Sequence, residues 1–377
     1  MARVTGLPRK PYSRIHSGDE RIIGAGFAAF APHMRIAKRA IVFLLVAAAV
    51  SAAILHYANR GPKAAQGAAI PELISLAPAD SAYLLYADLS ALRASSFLAR
   101  LMALAPAPAT DPDYAKFVRA TGFDYTQDLD RLVLAARPGS PSPLTLALAE
   151  GRFDHAKISS YALRSGKIER RSGAEVYVFP PSPTSKAMSM AFLGPSRVAM
   201  AEGPEATAMV AALASHGVPS AFAPAVRARI SRVADSAVFA VGQVSDVPEN
   251  LSLGGLRSDQ FSNLVRSLRW FTLAARPEAD RLNVAAEGEC NTVENARQLA
   301  ATLDGLRLFG QAAIADPKLR RNLEPATAGL LENLLRMIQI SRDDQRVRLN
   351  LELTSEMVNR LPGAAAGKTP ATSPRMR

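Results

Sequence analysis

The sequence predicts an α+β protein of two related halves, each β-α-β-β-α-β with extra hairpin strands, behind one N-terminal transmembrane helix. Its sheets are expected to be mostly antiparallel, with the helices on one face. Three observations carry this expectation. Short strand-like segments alternate with amphipathic helical ones. Four short motifs occur twice, in the same order. One run of sixteen residues near the N-terminus carries no charge.

That run, Ala40 to Leu55, reads AIVFLLVAAAVSAAIL. Extended to Ala58 it takes in His56 and Tyr57, which suit the headgroup level. At ~1.5 Å per residue it spans about 24–28 Å, close to a hydrocarbon core. Arg35, Lys38 and Arg39 stand before it, and Asn59, Arg60, Gly61 and Pro62 stop it. Residues 40–58 are therefore read as a single transmembrane helix whose partner is the lipid bilayer. The excess of basic residues on its N-terminal side predicts a cytoplasmic N-terminus and an extracytoplasmic remainder at the cell membrane. A cleaved signal peptide is the competing reading, with Val50 and Ala52 before a cut at Ala53. The long basic region favours an uncleaved signal-anchor. Met34 opens MRIAKRA, an ordinary basic start to an export signal, and is an alternative initiator.

Charge location supports this layout. The net charge is +12, yet residues 1–39 hold +6 of it and residues 360–377 hold +4. The 320 residues between carry 33 basic and 31 acidic side chains. A nucleic-acid reader needs a basic stripe on its folded face, so no nucleic acid is expected as a partner. Cys290 is the single cysteine, which excludes an internal disulfide or a cysteine-built zinc site.

The segments follow in order: 1–39 a disordered basic cytoplasmic arm, 40–58 the transmembrane helix, 59–70 a linker. Then come 71–217 the first α+β unit, 218–361 the second, and 362–377 a disordered tail. In the first unit Tyr83 to Leu89 reads as a strand, and Ser90 caps the helix that follows. A short helix lies near Tyr114 to Ala120. Leu132 to Ala136 and Leu144 to Ala149 flank the turn Pro138-Gly139-Ser140-Pro141. Asp154 caps a helix to about Leu163. Glu175 to Phe179, Ala187 to Leu193 and Arg197 to Ala201 are strands, and Pro204 opens a helix to Ala214. The second unit gives strands at Ala237 to Val244, Phe271 to Ala275, Leu282 to Ala286 and Val347 to Leu353. Its helices run from Thr292 to about Leu308 and from about Pro317 to Leu335. A helix-rich repeat fold is the alternative, because alanine blurs helix and strand signals.

The repeated motifs are Asp80-Ser81-Ala82 with Asp235-Ser236-Ala237, Leu134 to Pro138 with Leu273 to Pro277, Ala149-Glu150-Gly151 with Ala286-Glu287-Gly288, and Arg197-Val198 with Arg346-Val347. Their offsets are 155, 139, 137 and 149 residues, drifting as loop insertions do. A functional reading pairs Arg137 with Glu150, and Arg276 with Glu287, as binding groups. The simpler reading has these residues close equivalent strand ends, as ion pairs worth under ~1 kcal/mol each.

Other motifs dissolve on inspection. Gly24-Ala25-Gly26-Phe27-Ala28-Ala29 lacks the strand and acid of a dinucleotide-binding turn. Gly363 to Thr369 has one residue too few for a phosphate loop. Asp111, Asp113, Asp128 and Asp130 do not have calcium-loop spacing and read as caps or loop residues. His155 reads as a solvent-facing helix residue and His216 as a helix-end residue. No Gly-x-Ser-x-Gly elbow exists. No catalytic, cofactor-binding or metal-ligating residue is assigned, and no cofactor is expected.

Pro78-Ala79-Asp80, the strand ending Asp88-Leu89, and the turn Glu150 to Asp154 give the chain a resemblance over about residues 75–360. It resembles uncharacterised bacterial single-pass membrane-anchored proteins with a duplicated α+β extracytoplasmic region. The resemblance implies an anchored envelope protein and supplies no activity or site to carry over. Glu289-Cys290-Asn291 departs from it, standing where Arg152-Phe153-Asp154 stands in the first half. The expected function is a non-enzymatic interaction or structural module of the cell envelope (periplasm), with an envelope protein as partner. The rivals are an envelope hydrolase and a carrier of an apolar ligand between the halves. A pocket with convergent polar groups would favour the enzyme, a long apolar groove the carrier, and a closed surface with one apolar patch the module.

Overall fold

The computed structural model describes residues 70–99, 112–137, 143–181, 187–216, 222–244, 266–317 and 325–359. The expected arm, transmembrane helix and tail lie outside these residues, as do nearly all of the linker and the turn from Pro138 to Pro141. Among the described residues no helix is long and apolar enough to cross a membrane.

Strands β1 (Tyr83–Asp88), β2 (Leu129–Arg137), β3 (Leu144–Gly151), β4 (Lys167–Arg171), β5 (Ala174–Phe179), β6 (Met188–Phe192) and β7 (Arg197–Glu202) come first. Strands β8 (Val238–Gln243), β9 (Leu268–Pro277), β10 (Arg281–Cys290), β11 (Gln339–Asp343) and β12 (Arg346–Thr354) follow. All twelve form one sheet in the order β11-β12-β10-β9-β8-β1-β2-β3-β7-β6-β5-β4. Every ladder is antiparallel. The expected class, α+β with antiparallel pairing, is therefore observed.

The sheet has a seam at β1 and β8. Leu85 lies opposite Ala240, with Tyr83 opposite Gly242 and Ala87 opposite Val238. Asp88 N–H donates to the Ala237 carbonyl (2.6 Å), and Gln243 N–H donates to the Ala82 carbonyl (2.8 Å). Outward from the seam the order is β1-β2-β3-β7-β6 on one side and β8-β9-β10-β12-β11 on the other. Tyr83 faces Ala136 as Val238 faces Ala275. Leu129 faces Gly151 as Leu268 faces Cys290, and Glu150 faces Arg197 as Glu289 faces Arg346. The amides repeat too. Gly151 N–H donates to Ser196 O and Cys290 N–H to Gln345 O, at 2.9 and 2.8 Å.

This register corrects one motif match. Asp80 with Asp235, Leu134 to Arg137 with Leu273 to Arg276, and Arg197 with Arg346 occupy matching positions, and Pro138 lies outside the described residues. Ala149-Glu150-Gly151 does not match Ala286-Glu287-Gly288. Its ladder counterparts are Gly288-Glu289-Cys290, two residues on, because β10 carries two more residues before its end.

The helices are α1 (Glu72–Ser75), α2 (Leu89–Ala94), α3 (Pro112–Thr121), α4 (Tyr125–Asp128), α5 (His155–Ala162), α6 (Ala206–His216), α7 (Pro224–Val233), α8 (Val293–Ala315), α9 (Pro325–Met337) and α10 (Ser355–Asn359). They cover both faces of the sheet, not one as expected. Adjacent residues of one strand show why. Ala199 packs in the central core with Ile74, Val210 and Ile230, under α1, α6 and α7. Its neighbour Val198 packs on Ile158 and Ala162 of α5. Likewise Ala274 joins the central core, and Ala275 joins Val284, Leu351 and Leu334 under α9. Side chains alternate along a strand, so a strand apolar on both sides needs cover on both sides.

Helix starts follow their caps. Asp154 accepts from Lys157 N–H and Thr292 from Asn295 N–H, each at 3.0 Å. Asp88, not Ser90, caps α2, accepting from Ala91 N–H at 2.8 Å, and Ser90 donates its hydroxyl to the same carboxylate at 2.5 Å. Of the helix expected from about Pro317 to Leu335, the stretch Pro325–Met337 is described as helix and residues 318–324 lie outside the described residues, while α8 runs on to Ala315.

Candidate functional site

The repeated charged residues gather at the ends of the strands, with partners other than those expected. Arg137 pairs with Asp80 and Glu205, and Arg276 pairs with Asp235. Asp80 thus holds the arginine that closes β2, and Asp235 the arginine near the end of β9. Glu150 pairs with Arg131 (2.5 Å) and Arg197 (2.9 Å). Glu287 pairs with Arg232 (3.0 Å) and Arg348 (2.9 Å). Neither Arg137–Glu150 nor Arg276–Glu287 is formed, since in each case the two residues lie at opposite ends of their hairpin.

A cavity of about 660 Å³ opens beside the seam, between α2 and the ends of β1, β8 and β9. Asp88, Ser95, Asp235, Ser236, Arg276 and Glu278 supply its polar lining. The carboxylates there are engaged. Asp88 takes the Ser90 hydroxyl, Ala91 N–H and Arg131 (3.5 Å), and Glu278 accepts from the Asn283 amide at 2.7 Å. Burial works to raise the Asp88 pKa, but these donors outweigh it and hold the carboxyl below its usual range. Ser96 donates to the Ala279 carbonyl (2.8 Å), tying the cavity's two walls together. Such a lining suits a cationic or polar group better than an apolar one.

His155 approaches the Pro195 carbonyl through Nε2 (3.1 Å), and its ring stacks on Phe192 with centroids 3.8 Å apart. Its neighbours make it a packing residue at the start of α5. His216 ends α6, as expected of a helix-end residue. Asp128 accepts from the Asp124 N–H, and Asp130 pairs with Arg93 at 2.6 Å, so these two acids are local braces. Asp111 lies outside the described residues. Cys290 is buried among Ala296, Leu299 and Val347, and burial pushes its thiol pKa up.

Two surface features escaped the sequence reading. One is a cluster of arginines where α7, packed on β8 and β9, reaches the glutamates of β10. Arg229 is buried, with its guanidinium 4.2 Å above the Trp270 ring centroid. It donates to Glu289 (2.5 Å) and to the Ala225 carbonyl (2.7 Å). A signal existed in the spacing of Arg229 and Arg232 on one helix, but α7 itself was not anticipated.

The other is the outer face of α8. Over its first turns that face is polar, with Glu294, Arg297 and Gln298 exposed. Beyond Ala301 the same face becomes apolar, carrying Gly305, Leu308, Phe309 and Ala312 at helical spacing. Phe309 is 73% exposed, Leu308 51% and the flanking Leu306 56%. The helix is 23 residues long and packs its other side on β10, β11, β12 and α9.

No protein-family model matches the chain, and no curated protein matches it. The fold shows a weak likeness to solved structures of TP0453. Crystal form III aligns with a TM-score of 0.44 at 10% identity, over 75% of this chain and 94% of that one. Crystal form IV gives 0.42 at 10% identity, over 79% and 98%. Crystal form I gives 0.39 at 11% identity, over 78% and 96%. Identity this low transfers no residue of the candidate sites.

Proposed function

We propose that the chain is a membrane-anchored extracytoplasmic protein whose folded region works as a non-enzymatic interaction module of the cell envelope. Residues 40–58 hold it in the bilayer, and the outer face of α8 meets an envelope protein. The carrying observation is the exposed run Gly305, Leu308, Phe309 and Ala312. Single exposed apolar side chains are ordinary on a folded surface, whereas a contiguous run of them on one helix face is the pattern of a contact surface. Polar residues occupy the same face from two turns earlier, at Glu294, Arg297 and Gln298, so the apolar stretch is local. The carboxylates lining the seam cavity speak against an apolar cargo there.

The architecture behind the module is a duplicated unit fused through β1 and β8. Three features support this reading: the matching strand order outward from the seam, the reciprocal amides across it, and the paired Asp80–Arg137 and Asp235–Arg276 braces.

The test is a photo-reactive residue at position 309 of the full chain in its own membrane, with position 298 as control on the polar part of the same face. A discrete protein adduct at 309 and none at 298 is expected. Adducts to lipid alone, or the same adducts at both positions, would contradict the reading.

A further inference from the structure

We propose that Arg346, with Arg232 beside it, binds a phosphate-type oxyanion. The argument starts from its counterpart in the ladder. Arg197 faces Glu150 across β3 and β7, as Arg346 faces Glu289 across β10 and β12. The guanidinium of Arg197 is engaged at all three nitrogens. Nε donates to Glu150 (2.9 Å), and its two terminal nitrogens grip both oxygens of Glu72 from α1, at 2.9 and 3.1 Å. That is the two-pronged geometry by which arginine takes a carboxylate or a phosphate.

At the matching position Arg346 has no such carboxylate partner among the described residues. Glu289 gives its carboxylate to Arg229 instead. Among the described residues the Arg346 side chain has no hydrogen bond and no ion pair. Asp343, its neighbour on β11, is exposed and does not pair with it.

The surroundings are electropositive. Glu287, a charged residue where the first half has the buried Leu148, is shared by Arg232 and Arg348. Four guanidinium groups (Arg229, Arg232, Arg346, Arg348) thus meet Glu287, Glu289 and the outlying Asp343. The Nε of the buried Arg229 has no partner. Burial lowers the pKa of Arg232. Glu287 opposes this, and Arg346 and Arg229 add to the lowering. An anion bound between Arg232 and Arg346 removes that repulsion. Two guanidinium groups at one place favour the doubly charged phosphate over a single carboxylate. The site does not depend on the α8 contact proposed above.

The experiment uses the full chain in neutral detergent, titrated with inorganic phosphate at constant ionic strength against chloride. The readout is the thermal unfolding midpoint, supported by calorimetric binding. A saturable rise in midpoint beyond the chloride control is expected. Arg346→Gln should raise the half-saturating phosphate concentration about tenfold or more, since charge-assisted hydrogen bonds are lost. Arg346→Lys, which keeps the charge and loses the fork, should fall between. Because Arg346 makes no ion pair, both variants should keep the unliganded midpoint. Arg232→Gln provides a second, independent loss of affinity. Short-chain phosphatidic acid below its micelle concentration distinguishes the source. Tighter binding than inorganic phosphate assigns a lipid headgroup, and equal binding assigns the free anion. A phosphate response no larger than chloride's, or one unchanged in Arg346→Gln, overturns the proposal.

Discussion

Tyr83 and Phe271 stack across Gly242, from the strands on either side of it, with ring centroids 6.2 Å apart. A side chain at Gly242 would run into both rings. The glycine is there because two aromatic rings close over the seam, where β1, β8 and β9 lie side by side. Gly242→Val should destabilise the protein by about 1–3 kcal/mol, as overpacking does. Gly305 is the contrasting case. It sits inside α8 with open space where a Cβ would go, so Gly305→Ala should stabilise by about 0.5–1 kcal/mol. Denaturant unfolding of both variants checks the pair, and opposite signs are expected.

Acid should weaken the Asp88 brace in a defined direction. Its carboxyl is held below the usual range, so its contribution is full above the unfolded pKa of about 4 and lost as pH falls through the lower folded value. Between pH 5 and pH 2.5, roughly, the parent should lose more stability than Asp88→Asn. Equal slopes for the two would show that Asp88 contributes nothing linked to pH.

Cys290 should be inert in the folded protein. Its side chain is buried against α8 and its pKa is raised by burial, with a Ser267 contact acting the other way. Only the thiolate attacks, so alkylation near pH 8 should be slow in the native state and ordinary after unfolding. Fast native alkylation would mean that α8 lifts readily from the sheet.

The legible parts of the fold were those with local chemistry. Asp154 and Thr292 announced their helices by cap and spacing, and replacing either with Ala should cost about 1 kcal/mol. Leu134 to Arg137 and Leu273 to Pro277 marked the ends of β2 and β9. The edge strands were not legible. Lys167 to Arg171 and Gln339 to Asp343 are charged, as exposed edges tend to be, and lack an apolar alternation. Their turns carry Ser172-Gly173 and Asp344 at positive φ, which was the available signal. Helices on both faces were missed because Val198-Ala199 and Ala274-Ala275 read as plain apolar pairs. The Ala-Glu-Gly repeat misled by being identical in letters and two residues out of register. As for the sites, the arginine cluster depends on partners from α7, β10 and β12, which only the fold brings together.

The proposed placement of the folded region outside the cytoplasm underlies the whole functional account, and a reporter fused after residue 377 tests it most directly. An enzyme active only outside the cytoplasm should be active there, because the excess of basic residues before Ala40 predicts a cytoplasmic N-terminus. Activity of a cytoplasm-only reporter at the same position, with the exported one silent, would contradict the account.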